Sequence, residues 1–239
     1  MPRNAAVMQR WSAESIAFLR DASAYCNYHE RLADAVLPFL PRSGSICDAG
    51  CGLGGLSRAL APACGHITAI DRSEAAIRAM KQQPLPPNVT ALCADIFTVR
   101  ERFDAMVFCY FGLPSEILRL AAAHCDGTVV VLRRNCAEHR FSLGSVPLEH
   151  REGGLPALLT ARGIRFHSEA LSLEFGQPLR SMQAALDFFR LYNRSAQDVT
   201  EESVAPRLIR TGDPVFPFYS PMRRDMELTV FQAKELTGS

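Results

Sequence analysis

The sequence predicts an α/β fold: a doubly wound, mostly parallel seven-stranded sheet with helices on both faces, an N-terminal helical appendage and an insertion before the last strand. Three observations carry it. Ile46 to Arg58 reads as a short buried strand, a glycine-rich turn and the first turn of a helix. From Ser45 onward apolar strand-like runs alternate with helical patterns, which means parallel strands joined by right-handed crossovers. Acidic residues stand at successive strand ends: Asp48, Asp71 and Asp95.

The elements follow in order. Residues 1–42 form the appendage, with Trp11, Ile16, Phe18, Leu19, Tyr25, Leu32, Val36, Leu37 and Leu40 at helical spacing. Pro38, Pro41, Ser43 and Gly44 close it. Residues 43–239 are then the main domain. Its first strand is Ser45–Asp48 and its first helix Gly55–Ala63; the second strand is His66–Ile70. Ser73 caps a helix that runs to about Gln82. Pro84-Leu85-Pro86-Pro87 forces an extended link into the third strand, Asn88–Cys93. Phe103–Tyr110 is a continuous apolar strand of the kind buried on both faces. Ser115–His124 is a helix, Gly127–Leu132 the fifth strand and Leu155–Ala161 another helix. Ile164–Phe175 and Met226–Ala233 are the final strands. The insertion between them, 178–225, holds a helix at Met182–Tyr192 and a proline- and aromatic-rich loop at Asp213–Pro221.

Composition narrows the function. The chain has 239 residues, 48% of them hydrophobic and 21% charged, ordinary for a globular protein with a sizeable core. A formal charge of +1 offers no electrostatic footprint for nucleic acid. The basic pairs Arg133-Arg134 and Arg223-Arg224 read as solvated surface, the alternative for Arg133 and Arg134, at the end of their strand, being to bind an anionic substrate. No apolar run approaches the ~20 residues that span a bilayer, and the N-terminus lacks a signal-peptide pattern. No membrane and a cytoplasmic location are the expectations. The 8 cysteines are scattered without a C-x-x-C and most sit in apolar strands, so they read as structural thiols that behave as small hydrophobes, and no metal is expected.

The loop Asp48-Ala49-Gly50-Cys51-Gly52-Leu53-Gly54 carries the chemistry. Glycines let a backbone approach a ligand closely. A carboxylate at Asp48 repels a pyrophosphate and suits a ligand with a positive charge. This loop, followed by Asp71 and Asp95 at the next strand ends, resembles class I S-adenosylmethionine (SAM) dependent methyltransferases over residues 45–135. The resemblance implies a SAM cofactor, released as S-adenosylhomocysteine (SAH), and an antiparallel edge made by the last two strands. It places Asp48 near the methionine end, Gly50, Gly52 and Gly54 against the cofactor, Asp71 on the ribose hydroxyls, and Asp95 with Ile96 at adenine. Cys51, Arg72 and Cys109 are further cofactor-binding candidates.

The competing readings are an NAD(P)-dependent oxidoreductase, since Asp71 also suits a nicotinamide ribose, and a SAM-binding module without catalysis. Asp48 and the lack of a Tyr-x-x-x-Lys pair weigh against the oxidoreductase. At Phe108–Pro114 the chain departs from the Asn/Asp-Pro-Pro-Tyr/Phe signature of enzymes that methylate bases or glutamine, so the expected acceptor is a small organic molecule. The catalytic candidates are Tyr28, His29 and Tyr110. Tyr110 and Phe111 could face a sulfonium or simply pack the sheet edge, and His29, like His139 and His150, could equally be a satisfied histidine. Phe216, Phe218, Tyr219 and Met222 of the insertion are expected to shape the substrate pocket. A homodimer is the possible assembly.

Overall fold

A computed structural model describes residues 11–134, 141, 143, 154–193 and 198–236; Cys136, His139 and His150 lie outside them. Two helices open the described chain. The first, α1 (Ala13–Tyr25), is capped by the Ser12 hydroxyl, which accepts the Ser15 N–H at 3.1 Å. The second, α2 (Tyr28–Val36), buries Tyr28, Leu32, Ala33 and Val36, a spacing that lines one helix face.

Next come β1 (Ser45–Ala49), α3 (Gly55–Leu60), β2 (His66–Asp71), α4 (Glu74–Lys81), β3 (Val89–Cys93), β4 (Phe103–Cys109), α5 (Pro114–His124) and β5 (Cys125–Arg134). Beyond α6 (Leu155–Ala161), β6 (Phe166–Glu174) pairs with the last strand, β10 (Arg223–Gln232). The sheet order is β3-β2-β1-β4-β5-β10-β6. β1 to β5 are parallel, whereas β10 runs antiparallel to both β5 and β6. The order reverses between β1 and β4, which makes the carboxyl ends of those strands the ligand crevice.

Alternate residues of the strands face two layers. Ile46, Ile67, Ala69, Val107, Val130 and Leu132 pack with α2, α3 and α4. Cys47, Ala49, Met106, Phe108, Val129 and Val131 pack with α5 and α6. Because Tyr28, Leu32 and Val36 belong to the first layer, α2 is part of the core.

Element ends differ modestly from the sequence expectation. α3 stops at Leu60 rather than Ala63, and α7 (Met182–Arg190) stops short of Tyr192. Helix ends fray on that scale. β5 is longer than Gly127–Leu132 because β10 pairs with it from Thr128 through Arg134. The larger difference lies in the insertion. There β7 (Gln177–Leu179), β8 (Ile209–Arg210) and β9 (Phe218–Ser220) form a second, antiparallel sheet in the order β7-β9-β8, with α7 and α8 (Glu201–Val204) beside it. Strands of two or three residues leave no periodicity to read, and Pro178 argued against one of them. β9 runs through the stretch expected to be loop.

Candidate active site

The β1–α3 turn is built from backbone that only glycine holds easily. Gly50, Gly52 and Gly54 have φ of 75°, 56° and 73°. A Cβ on Gly50 would run into the Phe111 ring, and one on Gly54 into Met80. The Gly50 and Cys51 N–H groups donate to the Ile70 carbonyl at 2.8 and 3.0 Å. Gly52 N–H donates to Asp71 Oδ2 at 2.9 Å, while Asp71 Oδ1 accepts the Ser73 N–H at 2.8 Å. Asp71 thus couples the glycine loop to the start of α4. Each carboxylate oxygen keeps acceptor capacity for a vicinal diol, because one oxygen offers two lone pairs.

Asp48 lies beneath the loop at 1% exposure, and the Ser57 hydroxyl donates to its Oδ2 at 2.5 Å. Asp95 caps the turn at Ile96–Thr98, its Oδ1 accepting the Phe97 N–H at 3.1 Å. Ala94 N–H donates to the Asp71 carbonyl at 3.1 Å, which draws the Asp95 turn toward Asp71. Ile96 is buried and Arg72 exposed. The fold therefore gathers Asp48, the loop glycines with Cys51, Asp71 and the Asp95 turn at one sheet edge.

A second group gathers beyond β4. Tyr110 has φ of 54°, the one non-glycine residue with positive φ among those described. Such a conformation costs roughly 1–3 kcal/mol and marks a constrained position. It is held by the Tyr110 N–H bond to the Leu132 carbonyl at 2.9 Å. The Tyr110 hydroxyl lies 2.9 Å from that of Tyr28 and 3.5 Å from Met226 Sδ. Phe175 stands 4.4 Å from the Tyr28 ring, centroid to centroid. Over this group lies the guanidinium of Arg224, 4.1 Å from the Phe175 centroid, 5.4 Å from Tyr28 and 5.6 Å from Tyr110. Arg134 approaches the Tyr110 ring at 5.6 Å.

Arg134 is exposed, as expected, whereas half-buried Arg224 corrects the reading of its pair as plain solvated surface. Arg133 does so too, by donating to the Gly112 carbonyl at 2.9 Å. Nothing in local sequence singles out Arg224; it is recruited by the β10 register, which sets it opposite Leu173 of β6.

His29 packs against Gly55, where a Cβ would collide with its ring, and edge-on to Phe175. Phe111 lies against Gly50 and stacks on Phe108 at 6.5 Å. Trp11 covers Gly52. The aromatics of the insertion turn mainly toward α1: Tyr219 stacks on Tyr25 at 5.4 Å, and Phe216 meets the same ring at 5.7 Å. The Tyr219 hydroxyl donates to Glu174 at 2.8 Å. Phe218 and Met222 join the small third core around Phe188. Among the described residues no group of His, Cys, Asp and Glu is placed to hold a metal, and no helix is long and apolar enough to cross a membrane.

Burial sets the ionisation of the site. Tyr28 is pushed well up by burial, helped by Tyr110 and Cys109, so it stays a neutral hydroxyl; burial raises Tyr110 as well. Burial, with the charge of Asp48, raises the Cys109 thiol to about 12. His29 is lowered to about 4 by burial and then by Arg224, so its imidazole is neutral at pH 7. Asp48 is raised to about 6 by burial and by Asp71, against the Ser57 hydrogen bond.

The last two shifts oppose each other in pH. The unfolded chain protonates His29 first, so that group withdraws stability as pH falls from about 6.5 to 4. Asp48 keeps its proton longer when folded, so its contribution is full below about 3.9 and lost as pH rises through 6. Each is worth up to about 3 kcal/mol. Asp48→Asn should leave the His29 trend exposed, and His29→Gln the Asp48 trend. Urea unfolding at pH 4.5 and 6.5 should therefore give the two variants opposite changes relative to the parent. Parallel profiles would contradict this electrostatic picture.

Comparison with known proteins bears on the fold. Residues 46–126 match the methyltransferase-domain family. The fold is similar to a candidate methyltransferase from Bacillus halodurans, with TM-score 0.54 and 12% identity over 85% of this chain and 98% of that one. It is also similar to a candidate methyltransferase from an antibiotic biosynthesis pathway of Anabaena variabilis, with TM-score 0.53 and 18% identity over 84% and 96%. The YcgJ protein of Bacillus subtilis gives TM-score 0.53 and 11% identity over 86% and 97%. At these identities the structures speak for the fold alone. A comparison with curated proteins finds no matching sequence.

Proposed function

We propose that this chain is a class I Rossmann-like methyltransferase that uses SAM and moves the methyl group to a small organic acceptor bound beside Tyr110. The observation that carries this reading is the adjacency of two unlike groups. The acidic, glycine-lined loop tied to Asp71 suits a cationic ligand with a ribose, and the Tyr28–Tyr110–Phe175–Arg224 group stands at the neighbouring strand ends.

The residues present fit the cofactor. Gly50, Cys51, Gly52 and Gly54 would shape the loop around the cofactor, with Phe111 and Trp11 standing against Gly50 and Gly52, and Asp71, flanked by Arg72, would accept from the ribose hydroxyls. Asp95 and Ile96 would hold adenine. Asp48, being buried, would act through its charge on the methionine end rather than by direct contact. Cys109 and Tyr110 would stand nearest the methyl group.

When bound, SAM supplies a sulfonium methyl that an acceptor lone pair can take, the C–S electrons returning to sulfur to leave SAH. The chain's share is alignment and exclusion of water. Tyr28 and Tyr110 stay protonated, so they orient rather than deprotonate. His29 is neutral but a weak base, which suits an acceptor whose lone pair is already free. Helices α1 and α2 would cover the site, and the insertion would hold that cover through Tyr25 and Tyr219.

Calorimetric titration with SAM, SAH and NADH in parallel tests this. SAM and SAH should bind and NADH should not; labelled-methyl transfer to a small-molecule panel then follows. Binding of NADH alone would overturn the reading.

A further inference from the structure

We propose that Arg224, assisted by Arg134, is the recognition point for a carboxylate on the methyl acceptor, so that the substrate is an organic acid with an aromatic or apolar body. This rests on the methyltransferase reading and narrows its substrate class.

Several of this chain's other arginines are engaged by acceptors, whereas Arg119 and Arg210 each lie over a single ring, Phe97 and Phe218. Arg180 is paired with Asp21, Arg165 with Glu235, Arg102 with Asp126 and Arg190 with Asp187. Arg58 and Arg20 donate to backbone carbonyls. Even Arg223, the immediate neighbour, donates to Ser172. Arg224 and Arg134 have no hydrogen-bond acceptor and no carboxylate among the described residues, and both point a guanidinium at Tyr110.

A guanidinium is a planar fork of five donors that matches a carboxylate bidentately. Held half-buried over Phe175, Tyr28 and Tyr110, the Arg224 fork is fixed in direction before any ligand arrives. That lowers the ordering cost of binding. The same rings offer flat faces to an aromatic or apolar body.

The charge layout agrees. The Cys109 thiol feels the negative charge of Asp48, at the end of the glycine-loop strand, and the positive charges of Arg224 and Arg134, which stand at the Tyr110 ring. A ligand that is cationic at one end and an acceptor that is anionic at the other would each be drawn to its own half.

The test uses the full chain saturated with SAH. Benzoate, phenylacetate and 3-hydroxybenzoate are titrated calorimetrically, each against its own amide. At least one acid should bind tenfold or more tightly than its amide. Arg224→Gln should remove that preference, Arg224→Lys should keep part of it, and Arg134→Gln should weaken it several-fold. SAH affinity should stay within twofold throughout, which also reports that the variants are folded.

Failure of SAH to bind the parent chain would defeat the methyltransferase reading itself. With SAH bound, equal affinity for acid and amide overturns the carboxylate proposal alone. So does the absence of binding by every acid, or an acid preference that survives Arg224→Gln.

Discussion

Replacing Tyr28 with alanine should cost about 3–5 kcal/mol of folding stability, the range for deleting a fully buried aromatic side chain. Tyr28 is 1% exposed, lies in the layer that joins α2 to the sheet, and touches Tyr110, Phe175 and Arg224 at once. Its loss opens a cavity between α2 and β4 and leaves the Tyr110 hydroxyl with Met226 as its one partner among the described residues. Tyr28→Phe removes just the hydroxyl and should cost about 1 kcal/mol. Urea unfolding followed by circular dichroism and by the single tryptophan, Trp11, measures both. Trp11 rests on Gly52, so its emission should also shift when the loop loosens. An alanine variant within 1 kcal/mol of the parent would show that α2 is not anchored through this side chain.

The second large effect concerns the cofactor. Asp71→Ala should weaken SAM by roughly 1.5–3 kcal/mol, about 10- to 150-fold, the usual cost of removing a charged acceptor from a binding site. Part of that loss would come from the loop, since Gly52 N–H loses its acceptor at 2.9 Å and α4 loses a bond at Ser73. Asp71→Asn separates the contributions. It keeps one side-chain acceptor oxygen but not the charge, and should fall between the parent and alanine. Calorimetric SAM affinity unchanged in Asp71→Ala would remove Asp71 from the site.

Much of the architecture could be read from local pattern. β1, β2, β3 and β4 are apolar runs ended by polar or glycine-rich turns, and α4 announces itself with a capping serine at Ser73. These signals are local in origin: a strand buried on both faces must be apolar throughout, and a helix start must satisfy its free N–H groups. The loop from Asp48 to Gly54 is legible for a similar reason, because its backbone conformation admits little else than glycine. The small sheet of β7, β8 and β9 was not legible. Its strands owe their existence to each other, Pro178 sitting opposite Tyr219 and Ile209 pairing with that same residue.

The roles of single side chains divide along the same line. Sequence by itself determined a glycine loop, three acidic strand ends and a doubly wound order, since each depends on backbone geometry within a few residues. Tertiary structure alone decided that Asp48 faces Ser57 beneath the loop rather than standing open at the strand end. It alone brought Tyr28, Tyr110, Phe175 and Arg224 together from four separate elements or turns. Hydrophobic pattern and capping are short-range properties, whereas the partner of a guanidinium is fixed by strand register and by packing across 196 positions of chain between Tyr28 and Arg224.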